Sequence, residues 1–225
     1  MCGRFNLLAD PHLLAEIFAL LREPLWPVPR YDIKPSQDVV AIRQNSDGTR
    51  TGDLLSWGLV PRWAKDRTGA MTIARGESVA TKPSFKDAFC KRRCVIPAHG
   101  FYEWQPLGGQ AKQKWHVHRP DGGLLPMAGI WETWVDDDEQ PVDTCALITT
   151  VPNQPVSVFH DRMPVILSES DIGRWLDPAI SAVAILEALL RPCPDDWLVC
   201  DPVGNVSVDS KECIKPVKLQ RGLFD

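Results

Sequence analysis

The order of the short segments in this chain constrains its fold more than any single motif does. Strand-like runs at 39–43, 54–59, 94–98, 101–104, 114–118, 125–134 and 144–150 are separated by turn residues. Helix-like runs do not alternate with them, and parallel strands need a crossover, usually a helix, between each pair, so a parallel sheet is disfavoured. Residues 11–22 (PHLLAEIFALLR) carry apolar side chains at helical spacing, with Pro11 suited to a first turn. SFKDAFCKR (84–92) reads as a helix capped by Ser84. Ser168, with Asp171 three residues on, opens another helix that ends near Trp175, and a last one covers 180–190. Pro24, Pro27, Pro29 and Pro35 make 24–38 an extended loop, while 197–200 and the tail read as final strands. The expected architecture is α+β: one domain over 1–225 with a curved, mainly antiparallel, barrel-like sheet flanked by helices.

Composition is that of an ordinary globular chain, 44% hydrophobic and 24% charged, which excludes extended disorder. The longest apolar run, 180–190, is too short to cross a membrane, and the start MCGRFNLLAD lacks the basic-then-apolar pattern of a signal peptide. Seven cysteines, an odd number without a dense framework, fit a reduced, cytoplasmic setting. Cys90 and Cys94, and His116 and His118, lack the paired spacing of a zinc ribbon or finger, so neither a metal nor a cofactor is expected.

A net charge of −4 excludes a generally basic nucleic-acid binder. The distribution is uneven: residues 60–93 hold nine cations against three anions, and 132–143 hold only anions. A local basic face binds phosphate even on an acidic protein. Trp63 lies in it between Arg62 and Lys65, where an aromatic ring can stack a base while its neighbours hold phosphate. Most of the nine tryptophans are expected in the core.

Cys2 follows the initiator methionine directly. Methionine is generally removed before a small residue, which would leave residue 2 with both a thiol and a free α-amine. An α-amine is roughly a tenth to a fifth neutral at pH 7, whereas a lysine is neutral in well under about one part in a thousand. It is therefore the better amine nucleophile for a carbonyl, and the adjacent thiol can close a five-membered thiazolidine on the resulting imine.

MCGRF, WGLVPRW (57–63), ARGES (74–78), KPSFKDAFCKRRCVIPAHGFYEW (82–104), AGIWE (128–132), LITTVPN (147–153) and HDRMPVIL (160–167) occur in this order. The chain thereby resembles the SRAP (SOS response-associated peptidase) family. The resemblance implies covalent capture of abasic sites in single-stranded DNA through a thiazolidine, protecting the lesion in the DNA damage response, with possible removal of the protein's own leading residues. It implies Cys2 as nucleophile, Glu103 as the acidic catalytic residue and His160 as the group that assists sugar opening. It also implies Arg4, Arg75 and Arg162 as phosphate-contacting or wall residues and Trp63 as an aromatic beside the DNA path. An abasic sugar is mostly a closed hemiacetal, and opening it needs the proton transfers that a carboxyl and an imidazole supply.

Three positions depart from the family pattern. Ile73 stands where NARxE has Asn and can neither donate nor accept a hydrogen bond. Asp32 in YDIKP stands where an amide is common, placing an anion near the expected DNA phosphate, and Val206 is followed by Ser207 instead of Asn. These changes keep open a diverged, noncatalytic single-stranded DNA-binding relative, and a third reading as a cysteine-dependent, self-processing peptidase.

Overall fold

The structure is a computed structural model that describes residues 3–26, 29–135, 138–206 and 208–218. Candidate Cys2, Met1, Asp136 and Asp137 of the acidic run, and Ser207 lie outside the described residues. In chain order the elements are β1 (Phe5–Leu7), α1 (Pro11–Phe18), β2 (Arg30–Ile33), β3 (Asp38–Gln44), β4 (Arg50–Trp57), β5 (Ile73–Arg75), α2 (Gly76–Val79) and α3 (Lys86–Lys91). Then come β6 (Arg93–Ala98), β7 (Gly100–Pro106), β8 (Lys112–His118), β9 (Leu125–Val135), β10 (Pro141–Thr150), α4 (Gln154–Ser157), β11 (Met163–Pro164), α5 (Glu169–Leu176), α6 (Val183–Glu187) and β12 (Val199–Val203).

Pairings run from β10 to β4, β3, β6, β9 and back to β10, so five strands close into a barrel. Closure leaves no exposed edge around the ring. Its one parallel seam is β4–β10, and β5 adds a second parallel pairing outside it. β11 pairs antiparallel with the end of β10, and the other five strands form a separate antiparallel sheet ordered β12-β8-β7-β1-β2. The expected α+β fold with a mainly antiparallel, barrel-like sheet is therefore present. One apolar cluster links both sheets and the helices, and Phe5 of β1 meets Trp57 of β4 edge-on at 5.1 Å. Among the described residues no helix is long and apolar enough to cross a membrane.

Several local expectations need correction. The first helix ends at Phe18, four residues early: Ala19 turns to φ 51, and Leu20 and Leu21 then join the start of β4, with the Leu21 amide donating to Arg50 O. Ser84 does not cap α3, whose preceding residue, Phe85, makes no side-chain cap bond. The helix expected at 180–190 shrinks to Val183–Glu187. Part of the expected loop 24–38 is β2, an edge strand of the antiparallel sheet. The Ser168 cap holds, accepting from the Asp171 amide.

Arg93 is not part of a basic face. It is buried, and its guanidinium donates to the carbonyls of Phe89, Cys90, Trp175, Asp177 and Ile180 at 2.6–3.1 Å. Four of those carbonyls lie in the last turns or at the cap of α3 and α5, where a cation satisfies orphan acceptors and opposes the helix dipole, and Ile180 is in the turn that follows α5.

Candidate functional site

Side chains alternate across a strand, so register decides which candidates can meet. In β7, Phe101, Glu103 and Gln105 share one face, with Val117 and Trp115 of β8 directly opposite the first two. That face turns toward Phe5 and the barrel. Tyr102 and Trp104 share the other face with His116 and Lys114. β1 pairs Phe5 with Phe101, and the Tyr102 amide donates to Arg4 O, so Arg4 belongs to the second face.

Glu103 is 1% exposed, and its Oε2 lies 3.3 Å from His160 Nε2. Burial pushes the Glu103 carboxyl up to about 7, because the charged form loses its water. Burial also lowers the His160 imidazole from its ordinary value, against a backbone hydrogen bond at Arg162. His160 Nδ1 stands 3.0 Å from both the amide and the carbonyl of Arg162. The backbone thus offers a donor to one imidazole tautomer and an acceptor to the other. A carboxyl poised near neutrality beside an imidazole that tolerates either tautomer can exchange a proton at pH 7.

The guanidinium of Arg162 grips Glu77 bidentately at 2.6 and 2.9 Å and also donates to Thr149 O at 2.7 Å. Arg162 is thereby committed to holding the 160–162 loop against α2 and β10. Nothing in the sequence near Glu77 or Thr149 marks this role, although they lie within ARGES and LITTVPN. Arg75 is exposed at the end of β5, in register with Thr149, and leaves its side chain available to solvent. Ile73 lies two residues earlier on the same strand face, half-buried and opposite Leu147.

The structure does not bring Arg4 to this pair. Its guanidinium bonds both oxygens of buried Asp32 at 3.0 and 3.2 Å and lies over the Trp104 ring. Lys34 Nζ also reaches Asp32, at 3.2 Å. Asp32 is therefore not an anion facing DNA phosphate: it is neutralised from two sides. Trp63 is 70% exposed and lines a separate surface cavity of about 290 Å³ with Arg62, Lys91 and Arg92. Glu132 bonds Arg92 at 2.7 Å beneath it and reaches Arg62 at 3.6 Å, so the basic face is partly neutralised. Among the described residues no cluster of His, Cys, Asp and Glu is arranged to hold a metal ion.

The comparisons with known proteins bear on the family and on this fold of a barrel bearing an antiparallel sheet. Residues 1–209 match the family described as SOS response associated peptidase (SRAP), and the chain belongs to that family. Abasic site processing protein YoqW of Bacillus subtilis (strain 168) is 38% identical over 211 residues, covering 92% of this chain and 93% of that protein. Abasic site processing protein HMCES of Gallus gallus is 33% identical over 207 residues, covering 79% of this chain and 61% of that protein. A crystal structure of a protein from Bacteroides thetaiotaomicron superposes with a TM-score of 0.87 at 24% identity, covering 96% of this chain and 100% of that one, which shows the shared fold.

Proposed function

We propose that this chain processes abasic sites in DNA by capturing the ring-opened sugar on Cys2. The observation that carries the reading is the Glu103–His160 pair, with its carboxyl raised to about 7. The β1–β7 register, continued by two residues, sets Gly3 across from Glu103.

The chemistry balances without an oxidant or metal. Glu103 and His160 remove the proton from the C1 hydroxyl of the closed sugar and return one to the ring oxygen, exposing the aldehyde. The α-amine of Cys2, freed by loss of Met1, adds to C1, and the carbinolamine loses water to give an imine. The Cys2 sulfur then adds to C1 and closes the thiazolidine, so aldehyde plus aminothiol yields adduct plus one water. Exposed Arg75 offers a phosphate contact, as does the Trp63 face, through Arg62 and Lys91. Single-stranded DNA is the fitting substrate, because its sugar reaches the pair without a competing strand.

The test is an oligonucleotide with one abasic site, incubated with protein whose intact mass shows Cys2 at the N-terminus. A denaturation-resistant adduct is expected from wild type. Cys2→Ala should abolish it while keeping much of the salt-sensitive binding. An equally stable adduct from Cys2→Ala removes Cys2 as the nucleophile. Salt-sensitive binding without any adduct from wild type favours the noncatalytic DNA-binding reading, which Ile73 motivates. Cleavage of unrelated proteins favours a peptidase.

A further inference from the structure

We propose that the stacked pair Phe159–Trp115 is a positioning element that holds the His160 imidazole against Glu103. Trp115 is the register partner of Glu103, so its indole and the carboxyl stand side by side on one sheet face. The indole N–H donates to Gln105 Oε1 at 3.0 Å, and Gln105 lies two residues beyond Glu103 on that face, which fixes the ring plane. The Phe159 ring lies on the indole at 5.1 Å between centroids, only 8° from parallel, and both side chains are buried. Phe159 immediately precedes His160. The carboxyl and the imidazole therefore take their positions from the same strand rung: one is on β7, and the other is attached to a ring seated on the residue across from it.

The need for such a seat follows from the chain path. His160 is on an irregular connection between α4 and β11, where no repeating hydrogen-bond ladder sets a side chain's direction. The amides of Phe159 and His160 both donate to Val156 O, at 3.1 and 3.0 Å, which closes the turn but does not set its distance from β7. On the far side, Arg162 is held by Glu77 and Thr149. His160 thus has an apolar anchor before it and an ionic anchor after it. Salt weakens the second and spares the first.

The effect on rate rests on the abasic-site reading, whereas the effect on the imidazole does not, so both are measured. Phe159→Ala and Phe159→Tyr are compared with wild type, well below their melting temperatures. The first readout is adduct formation and noncovalent affinity on the abasic oligonucleotide. The second is the pair of His160 ring-nitrogen NMR signals, which report tautomer and hydrogen bonding. Displacing a reacting group by about 1 Å costs about 10²-fold in rate. Phe159→Ala is therefore expected to slow adduct formation about 10–100-fold with affinity changed less than about twofold, and to shift the His160 signals. Phe159→Tyr, which keeps the ring, should restore both. If Phe159→Ala does not fold, Phe159→Leu, which fills the space without a flat ring, carries the same expectations. Wild-type rate and wild-type His160 signals in a folded Ala or Leu variant overturn the proposal. If wild type forms no adduct, the functional reading fails, and the NMR comparison still decides the positioning role.

Discussion

Replacing Glu103 by Gln separates the cost of burying this carboxyl from its use. The side chain is 1% exposed, and its carboxyl is raised from 4.5 to about 7 by burial. A raised carboxyl means the folded state holds the proton more tightly than the unfolded chain does. The associated stability is fully present below pH 4.5 and is lost as the pH rises through about 7. Each pH unit across that interval corresponds to about 1.4 kcal/mol, which sets an upper bound of roughly 3 kcal/mol above neutrality. Gln keeps the shape and the hydrogen-bonding capacity toward His160 but never ionises. The Tm of Glu103→Gln minus that of wild type should be small, about 2–3 °C, at pH 5 and climb to as much as roughly 6–12 °C at pH 8.5, at about 2–4 °C per kcal/mol for a chain of this size. Adduct formation should fall by about 10²–10⁴-fold, the usual contribution of a positioned acid–base group. Thermal melts from pH 5 to 9 and a single-turnover time course measure both. A Tm difference that stays flat across the range refutes the burial argument. Unchanged adduct formation refutes the catalytic role.

Ile73→Asn should speed adduct formation, by up to about 10²–10³-fold if the amide acts directly on the reacting sugar; a rate no faster than wild type in a time course means the site already compensates for Ile73. Arg93→Met takes a donor from five backbone carbonyls, of which Asp177 O keeps the Ile180 amide, and calorimetry should show a loss of about 3–5 kcal/mol that Arg93→Lys does not recover, since an ammonium lacks the guanidinium's fork. Lys114 is 1% exposed, its Nζ has no hydrogen-bond partner among the described residues, and burial lowers it from its ordinary value despite the attraction of Asp32. Lys114→Met should therefore leave stability unchanged or raise it by up to about 2 kcal/mol, and a clear drop in Tm would show that the cation over the Tyr102 ring, at 3.9 Å, outweighs its desolvation.

Contiguous signals in the sequence carried the fold class, the order of the longer strands, the Ser168 cap and the motifs that identify the family. Each is written in neighbouring residues: an apolar run, a turn, a cap three residues from its partner. Strands of three or four residues, β1, β2 and β5, show too little periodicity to be read. Motif resemblance points to Glu103 and His160, and nothing local in either segment states that they meet. Closure of the barrel is a property of register around five strands, which no one strand encodes.

What only the tertiary structure decided is which charges face each other. Arg4, Arg93 and Arg162 look alike in sequence, each a cation near a motif. The alternation that puts Phe5 of β1 on the Glu103 face turns Arg4 to the other one, and burial commits Arg93 to backbone carbonyls around helix ends. Arg162 is spent on Glu77, 85 residues away. Asp32, an unfavourable anion by sequence, becomes the acceptor for both Arg4 and Lys34. The physical reason is common to all four. A charge acts through what lies within a few ångströms of it and through the water it has lost, and both are set by chain closure over long sequence separations. The sequence alone determined which chemical groups are available and in what order; only the closed fold determined that one carboxyl would lose its water beside one imidazole.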